Sequence, residues 1–198
     1  MHLNLAKVLD RSFYDRNTLV VARELLGKVL VREYEGKILA GVIVETEAYR
    51  GFDDPASHAY RGKTPRNAVM FGPPGRAYVY LAYGINHLLN IVTEREGFPA
   101  AVLIRALQPV KGIEEMKKNR GVDDIYALTS GPGRLTKAMR IDLSLNGIDM
   151  TCRGPLYVVD HDFGRFSVGI SSRIGISAGK DRLWRFYIKG NRFVSRRG

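Results

Sequence analysis

"KVLVREYEGKILAGVIVETEAY", Lys28 to Tyr49, is two strand-type runs meeting at the turn Glu35-Gly36, and it reads as a β-hairpin. The second run breaks at Gly51. From there "GFDDPASHAYRGKTPRN", Gly51 to Asn67, is too polar and too rich in Gly and Pro to be core. Working outward, "NTLVVARELLG" has the apolar spacing of a helix, with Asn17 or Thr18 as its cap and Gly27 as its stop. "GRAYVYLAYG" alternates, placing Tyr78 and Tyr80 on one face and Ala77, Val79 and Leu81 on the other. "HLLNIVT", "AAVLIRALQPV", "LYVVD", "RFSVGIS" and "LWRFYIKG" supply further strands, and helices are expected at "GIEEMKKNR" and, after the turn "SGPG", at "RLTKAMRI". No repeat, linker or shift in composition divides the 198 residues. The pattern predicts a single α+β domain over 1–198, with a mixed antiparallel β-sheet or partly open barrel and peripheral helices.

The balance of 31 Lys and Arg against 20 Asp and Glu gives a net charge of +11, so a polyanion is the leading partner class. A membrane fits poorly, because runs such as "FPAAVLI" fall far short of the roughly 20 apolar residues of a span. The start "MHLNLAKVLDRSF" lacks an uninterrupted signal-type apolar core, and a cytoplasmic protein, nucleoid-associated in a prokaryote, is expected. A single cysteine, Cys152, leaves no internal disulfide and no Cys-x-x-Cys zinc site, and the four histidines show no metal-binding spacing. No metal and no cofactor are expected.

Chemistry concentrates around the end of the hairpin. On a strand, Glu45, Glu47 and Tyr49 share one face because side chains alternate. A carboxylate beside an aromatic wall suits a general base, since partial desolvation brings its pKa toward working pH. The plain alternative is a solvated Glu on an exposed strand, just as Tyr78 and Tyr80 could be an ordinary half-buried sheet face. Basic residues interleaved with aromatics tip the balance, because that mixture grips a phosphate backbone and stacks an unpaired base.

"ETEAY", "SHAYRGKTPRN", "MFGPPGRAYVYLAYGINHLLNIV" and "VLIRALQP", in this order and spacing, resemble the alkyladenine (3-methyladenine) DNA glycosylase family. The likeness runs from about Leu5 through "SGPGRLTKAM" to "RFYIKGNRFVS". It implies a formyltransferase C-terminal-domain-like fold and a monofunctional enzyme of base excision repair. Such an enzyme flips damaged purines (3-methyladenine, 7-methylguanine, hypoxanthine, ethenoadenine) out of double-stranded DNA and hydrolyses the glycosidic bond, leaving an abasic site. By the same resemblance Glu47 activates the attacking water and Arg105 helps to hold it. Tyr49, His58 and Tyr80 sandwich the base, with Asn90 and Leu103 completing the pocket. Tyr83 intercalates, flanked by Ile85 and Thr64, and Arg61, Lys63 and Arg66 meet the DNA backbone. Glu45 matches no catalytic position and is expected to be structural. A second basic cluster runs from Lys189 to Arg197. The chain is expected to act as a monomer.

Two departures stand out: Asn86 and His87 occupy places where family members can carry aromatics, and the chain is expected to begin almost at the fold, without a basic tail. The rival reading is a non-catalytic DNA- or RNA-binding module. The two separate on geometry, since only an enzyme needs Glu47 and Arg105 to converge on one point.

Overall fold

The computed structural model describes residues 6–195; Arg196 and Arg197 of the second basic cluster lie outside them. Eight strands form one antiparallel sheet: β1 (Val29–Tyr34), β2 (Lys37–Arg50), β3 (Ala77–Ala82), β4 (Asn86–Val92), β5 (Ala100–Lys111), β6 (Leu156–Val159), β7 (Val168–Ser171) and β8 (Arg185–Ile188). Along the sheet they run β3-β4-β5-β2-β1-β6, with β8 also paired to β2 and β7 to β8. The result is a curled, half-barrel sheet with few helices, the α+β architecture the patterning predicts.

β2 is its axis. Its 14 residues pair with β5 along one edge, while the other edge is shared: β1 takes Lys37 to Val42 and β8 takes Glu45 to Glu47. Glu45 and Glu47 therefore sit on a strand with neighbours on both sides. Register shifts in the β2/β5 ladder around Glu45 mark a bulge, a device that bends a strand and re-aims its side chains.

Among the helices, α1 (Arg11–Tyr14) is a single turn, and α2 (Thr18–Glu24) is capped by Asn17, whose side chain accepts from the Leu19 N–H. α2 buries Val21 and Ala22 on the sheet, and the Thr46 hydroxyl donates to the Ala22 carbonyl at 2.7 Å. α3 (Ile113–Arg120) and α4 (Ile125–Leu128) precede α5 (Pro132–Ala138). α5 starts inside the expected turn "SGPG", with Gly131 as N-cap and Pro132 in the first helical turn, where its missing N–H costs nothing. At four residues each, α1 and α4 are too short to show a period. No helix among the described residues is long and apolar enough to cross a membrane.

One expectation is corrected. The stretch Gly51 to Asn67 contributes to the interior after all: Asp54, Ser57, Ala59 and Asn67 are buried. Ala59 joins Met70, Tyr78, Val92 and Ala101 in a second, smaller apolar cluster, against which Tyr80 packs. The polar members are accommodated by hydrogen bonds, as when Asn67 Nδ2 donates to the carbonyls of His58 and Gly62, both at 2.9 Å.

β5 hands over to α3 through Gly112, which holds φ +74. A Cβ there would lie 2.8 Å from the Ile38 carbonyl oxygen and 3.2 Å from the Leu39 Cα, both backbone atoms that cannot rotate away. Left-handed backbone alone costs a residue with a Cβ roughly 1–2 kcal/mol. Gly112→Ala is therefore expected to lower unfolding free energy by at least about 2 kcal/mol in urea titrations. A loss within about 0.5 kcal/mol would mean that this junction relaxes freely.

Candidate active site

Glu45 and Glu47 have no exposed surface, and both bind Arg105, itself only 7% exposed. Arg105 Nε donates to Glu45 Oε1 at 3.0 Å and Nη1 to Glu47 Oε2 at 3.3 Å. Arg105 comes from β5, and the bulge beside Glu45 lets one guanidinium span both carboxylates. Glu45 is also held by Arg185 Nε at 2.7 Å, by the Ser195 N–H at 2.6 Å and by the Ser195 hydroxyl at 2.9 Å. Its bonding is thus taken up by the scaffold.

Glu47 faces differently. Its Oε2 also accepts from the Tyr49 hydroxyl at 2.8 Å, and its Oε1 accepts from the Ile174 N–H at 2.7 Å. A carboxylate offers about four acceptor positions, and among the described residues three of them are taken, one on Oε1 being left without a protein donor; Glu47 itself lies just behind the cleft wall rather than on it. Burial raises the pKa of Glu47 above the ordinary carboxylate value; Arg105, the Ile174 N–H and the Tyr49 hydroxyl offset only part of that. For Arg105, burial pulls the other way, but Glu47 and Glu45 outweigh it and hold the guanidinium above its ordinary value. Arg105, Tyr49 and Ile174, three of the groups around Glu47, line an open cleft of about 870 Å³.

That cleft shares Tyr49, His58, Tyr80, Tyr83 and Gly175 with a smaller neighbour of about 360 Å³, lined further by Met70, Tyr78 and Asn90. His58 and Tyr80 touch edge to face, with ring centroids 4.5 Å apart, too close to admit a third ring between them. His58 and Tyr80 thus form one aromatic surface, and Tyr49 lines the same two clefts. His58 is fixed by a 2.9 Å hydrogen bond between its Nδ1 and the Tyr78 hydroxyl. Burial, with the Arg66 charge adding, lowers the pKa of His58 and favours the neutral ring. Tyr80 is pushed up to about 12 by burial and stays a phenol. Asn90 is buried, with Nδ2 donating to the Tyr78 carbonyl at 3.2 Å, and Leu103 lies opposite it in the β4/β5 ladder.

The rim carries the remaining predicted residues. β3 and β4 are joined at Tyr83 and Gly84, with φ +50 and +69, and the Ile85 N–H donates to the Ala82 carbonyl at 3.0 Å. This is the geometry of a type I′ turn. It lifts Tyr83 to 92% exposure and Ile85 to 78%. Such apolar display on a tight turn has no packing purpose. Arg66 lies over the Tyr80 ring at 5.3 Å and donates to the Leu81 carbonyl. Arg61, Lys63 and Thr64 are exposed on the same loop but line neither cleft. Asn86 packs against Gly133 of α5 while also lining the larger cleft, and the His87 backbone carbonyl accepts from the Thr136 hydroxyl.

Two participants carry no sequence signal. The Ile174 donor is a backbone N–H, which any residue but proline supplies. Arg134 reaches the cleft only because α5 begins early at Pro132 and turns its first residues toward the rim.

The family model described as "Methylpurine-DNA glycosylase (MPG)" matches residues 12–192. A relative from Carboxydothermus hydrogenoformans is 52% identical over 96% of this chain and 100% of its own length. Relatives from Desulfitobacterium hafniense and Methanocella arvoryzae are 48% and 52% identical, each over 96% of this chain and over 98% and 96% of their own lengths. All three carry the name "Putative 3-methyladenine DNA glycosylase".

The bonds at Glu45 make a stability prediction. Glu45→Gln removes the charge that two buried guanidinium groups share, and a buried pair broken from one side costs about 3–5 kcal/mol. Urea unfolding is expected to show a loss in that range. A loss below about 1 kcal/mol would show that Glu47 alone can balance Arg105.

Proposed function

This chain belongs to the methylpurine-DNA glycosylase family, hydrolases that cleave the N-glycosyl bond of alkylated bases in DNA, and from that premise we propose how its own residues divide the work. Glu47 is the general base that deprotonates the attacking water, and Arg105 aligns the pair. The observation that carries this reading is their convergence: a fully buried carboxylate with a raised pKa, held 3.3 Å from a guanidinium that lines an aromatic-walled cleft. A module that only binds nucleic acid has no use for that arrangement. As the base departs, positive charge develops on the sugar, and an ionised Glu47 also stabilises it. Among the described residues no lysine lines either cleft, and water is taken as the nucleophile, with the DNA strand left uncut.

The flipped purine stacks between Tyr49 and the wall of His58 and Tyr80, over Asn90. Stacking needs a flat ring and tolerates varied substituents, which fits 3-methyladenine, 7-methylguanine, hypoxanthine and ethenoadenine as alternative substrates. Tyr83, flanked by Ile85 and Thr64, fills the space vacated in the duplex. Arg61, Lys63 and Arg66 hold the flanking backbone, and Arg134 meets it from the opposite rim. Cleft, rim and wedge all come from one chain, so a monomer suffices.

Duplexes carrying each lesion, incubated with protein and then cleaved with alkali at the abasic site, test the activity directly. Glu47→Gln is expected to bind lesion DNA nearly as well as the unaltered protein while losing excision by about a hundredfold or more. The pH profile carries a sign. The base must be ionised and its pKa is raised by burial, so activity falls with acidification at a pH above the ordinary carboxylate range. Excision that remains flat down through that range would remove Glu47 from the role.

Tyr83→Ala leaves the bond-breaking groups intact and removes only the plug. The flipped state is expected to lose roughly 1–3 kcal/mol, about one base–aromatic stack. Single-turnover excision of hypoxanthine should therefore suffer most when the lesion is paired and least in a mismatch or single strand, where extrusion is already favoured. An equal loss in all three contexts would place Tyr83 in the chemistry or the fold instead.

A further inference from the structure

Behind the Tyr49 wall lies an ion pair with no exposed side-chain surface on either partner, between Asp54 and Arg173. It is bidentate: Nη1 reaches Asp54 Oδ2 at 2.5 Å and Nη2 reaches Oδ1 at 2.7 Å. Nη1 also donates to the Ala48 carbonyl at 3.0 Å. The guanidinium lies 4.7 Å from the Tyr49 ring centroid and 5.1 Å from that of Trp184. Asp54 in turn accepts the N–H groups of Ala56 and Arg50, at 3.1 and 3.3 Å, which fixes the approach to His58.

Stability is a poor reason for such a pair, because apolar side chains of similar volume often serve a buried site as well or better. Its neighbours suggest a different one. Ile174, the residue after Arg173, gives Glu47 its 2.7 Å backbone hydrogen bond, and Tyr49, the ring Arg173 stacks on, gives Glu47 its 2.8 Å hydroxyl hydrogen bond. Two of the three groups that bind Glu47 are thus placed by one guanidinium, and a planar, bidentate, stacking group is what an arginine supplies and a lysine does not.

We propose that Arg173, locked by Asp54, is a positioning residue for the general base, holding the Ile174 N–H and the Tyr49 ring so that Glu47 is ionised and correctly aimed. The inference rests on the reading of Glu47 as that base. Hydrogen bonds donated to a carboxylate favour its charged form. The other groups facing Glu47 are Arg105 from β5, Glu45 from β2, and Arg185, its register partner on β8, whose Nε binds Glu45. None of these touches Arg173 or Asp54 through the bonds above, so loosening the pair alters the Ile174 and Tyr49 contributions alone.

Arg173→Lys keeps the charge but loses the fork and the stack, and Ile174→Pro deletes the donated N–H itself. Single-turnover excision is measured across pH for both, together with affinity for a duplex carrying an abasic-site analogue. The acid limb is expected to move to higher pH, so that the rate at a fixed pH on that limb falls about tenfold, while the high-pH plateau falls less than about threefold. Affinity for the analogue should stay within about twofold, as glycosidic bond cleavage is not involved in it. In the Glu47→Gln background, Arg173→Lys should bring little further loss. A variant that binds the analogue normally but loses its plateau without displacing the limb overturns the proposal, and so does an unmoved profile in Ile174→Pro if Arg173→Lys fails to fold. Should Glu47→Gln itself keep the wild-type acid limb, it is the assignment of the base that fails, which separates the two ideas.

Discussion

The molecule is organised around a charge problem: two carboxylates and two guanidinium groups, from Glu45, Glu47, Arg105 and Arg185, enclosed between three adjacent strands. Charges removed from water are costly unless they are paired and hydrogen-bonded. The sheet meets that condition by giving β2 a different neighbour for each half of one edge, so that β8 brings Arg185 to the level of Glu47 while β5 brings Arg105 from the other side. The bulge beside Glu45 allows a single guanidinium to serve both acids. Fold and site are therefore not independent layers, since the same strands that bury the core bring these charges together.

Within this cluster the two glutamates have diverged. Glu45 is bound by two arginines and by both donors of Ser195, and it belongs to the framework. Glu47 is bound by one arginine, one phenol and one backbone N–H, all three from residues that line the cleft. The desolvation that makes an acid expensive to bury also raises its basicity, so the same burial that loads the fold with a cost makes Glu47 a better proton acceptor.

Much of this was legible in the sequence. The β1/β2 hairpin, the alternating β3 with Tyr78 and Tyr80 on one face, and the Asn17 cap all follow from local patterns, and all are present. The convergence of Glu47 with Arg105 came from the four-block resemblance rather than from periodicity, because residues 58 positions apart leave no local trace of their contact. What could not be read has a common cause. Asp54 sits in a stretch that reads as too polar for the core, because its partner, Arg173, lies 119 residues away and only the closed fold brings them together. The edge contact between His58 and Tyr80 depends on how a loop packs on a strand, and the Ile174 hydrogen bond is made by a group common to nearly every residue.

The type I′ turn under Tyr83 has a kinetic corollary. An aromatic residue held with positive φ between two paired strands has little backbone freedom left to lose, and its ring has only two side-chain torsions to settle. A probe on a floppy loop would forfeit entropy each time it entered a stack of bases, whereas here most of that ordering is complete once the chain has folded. In the wedge role proposed for Tyr83, such stiffness lowers the entropic cost of each insertion, so that the stability of the base pair itself becomes the larger share of the barrier to extrusion.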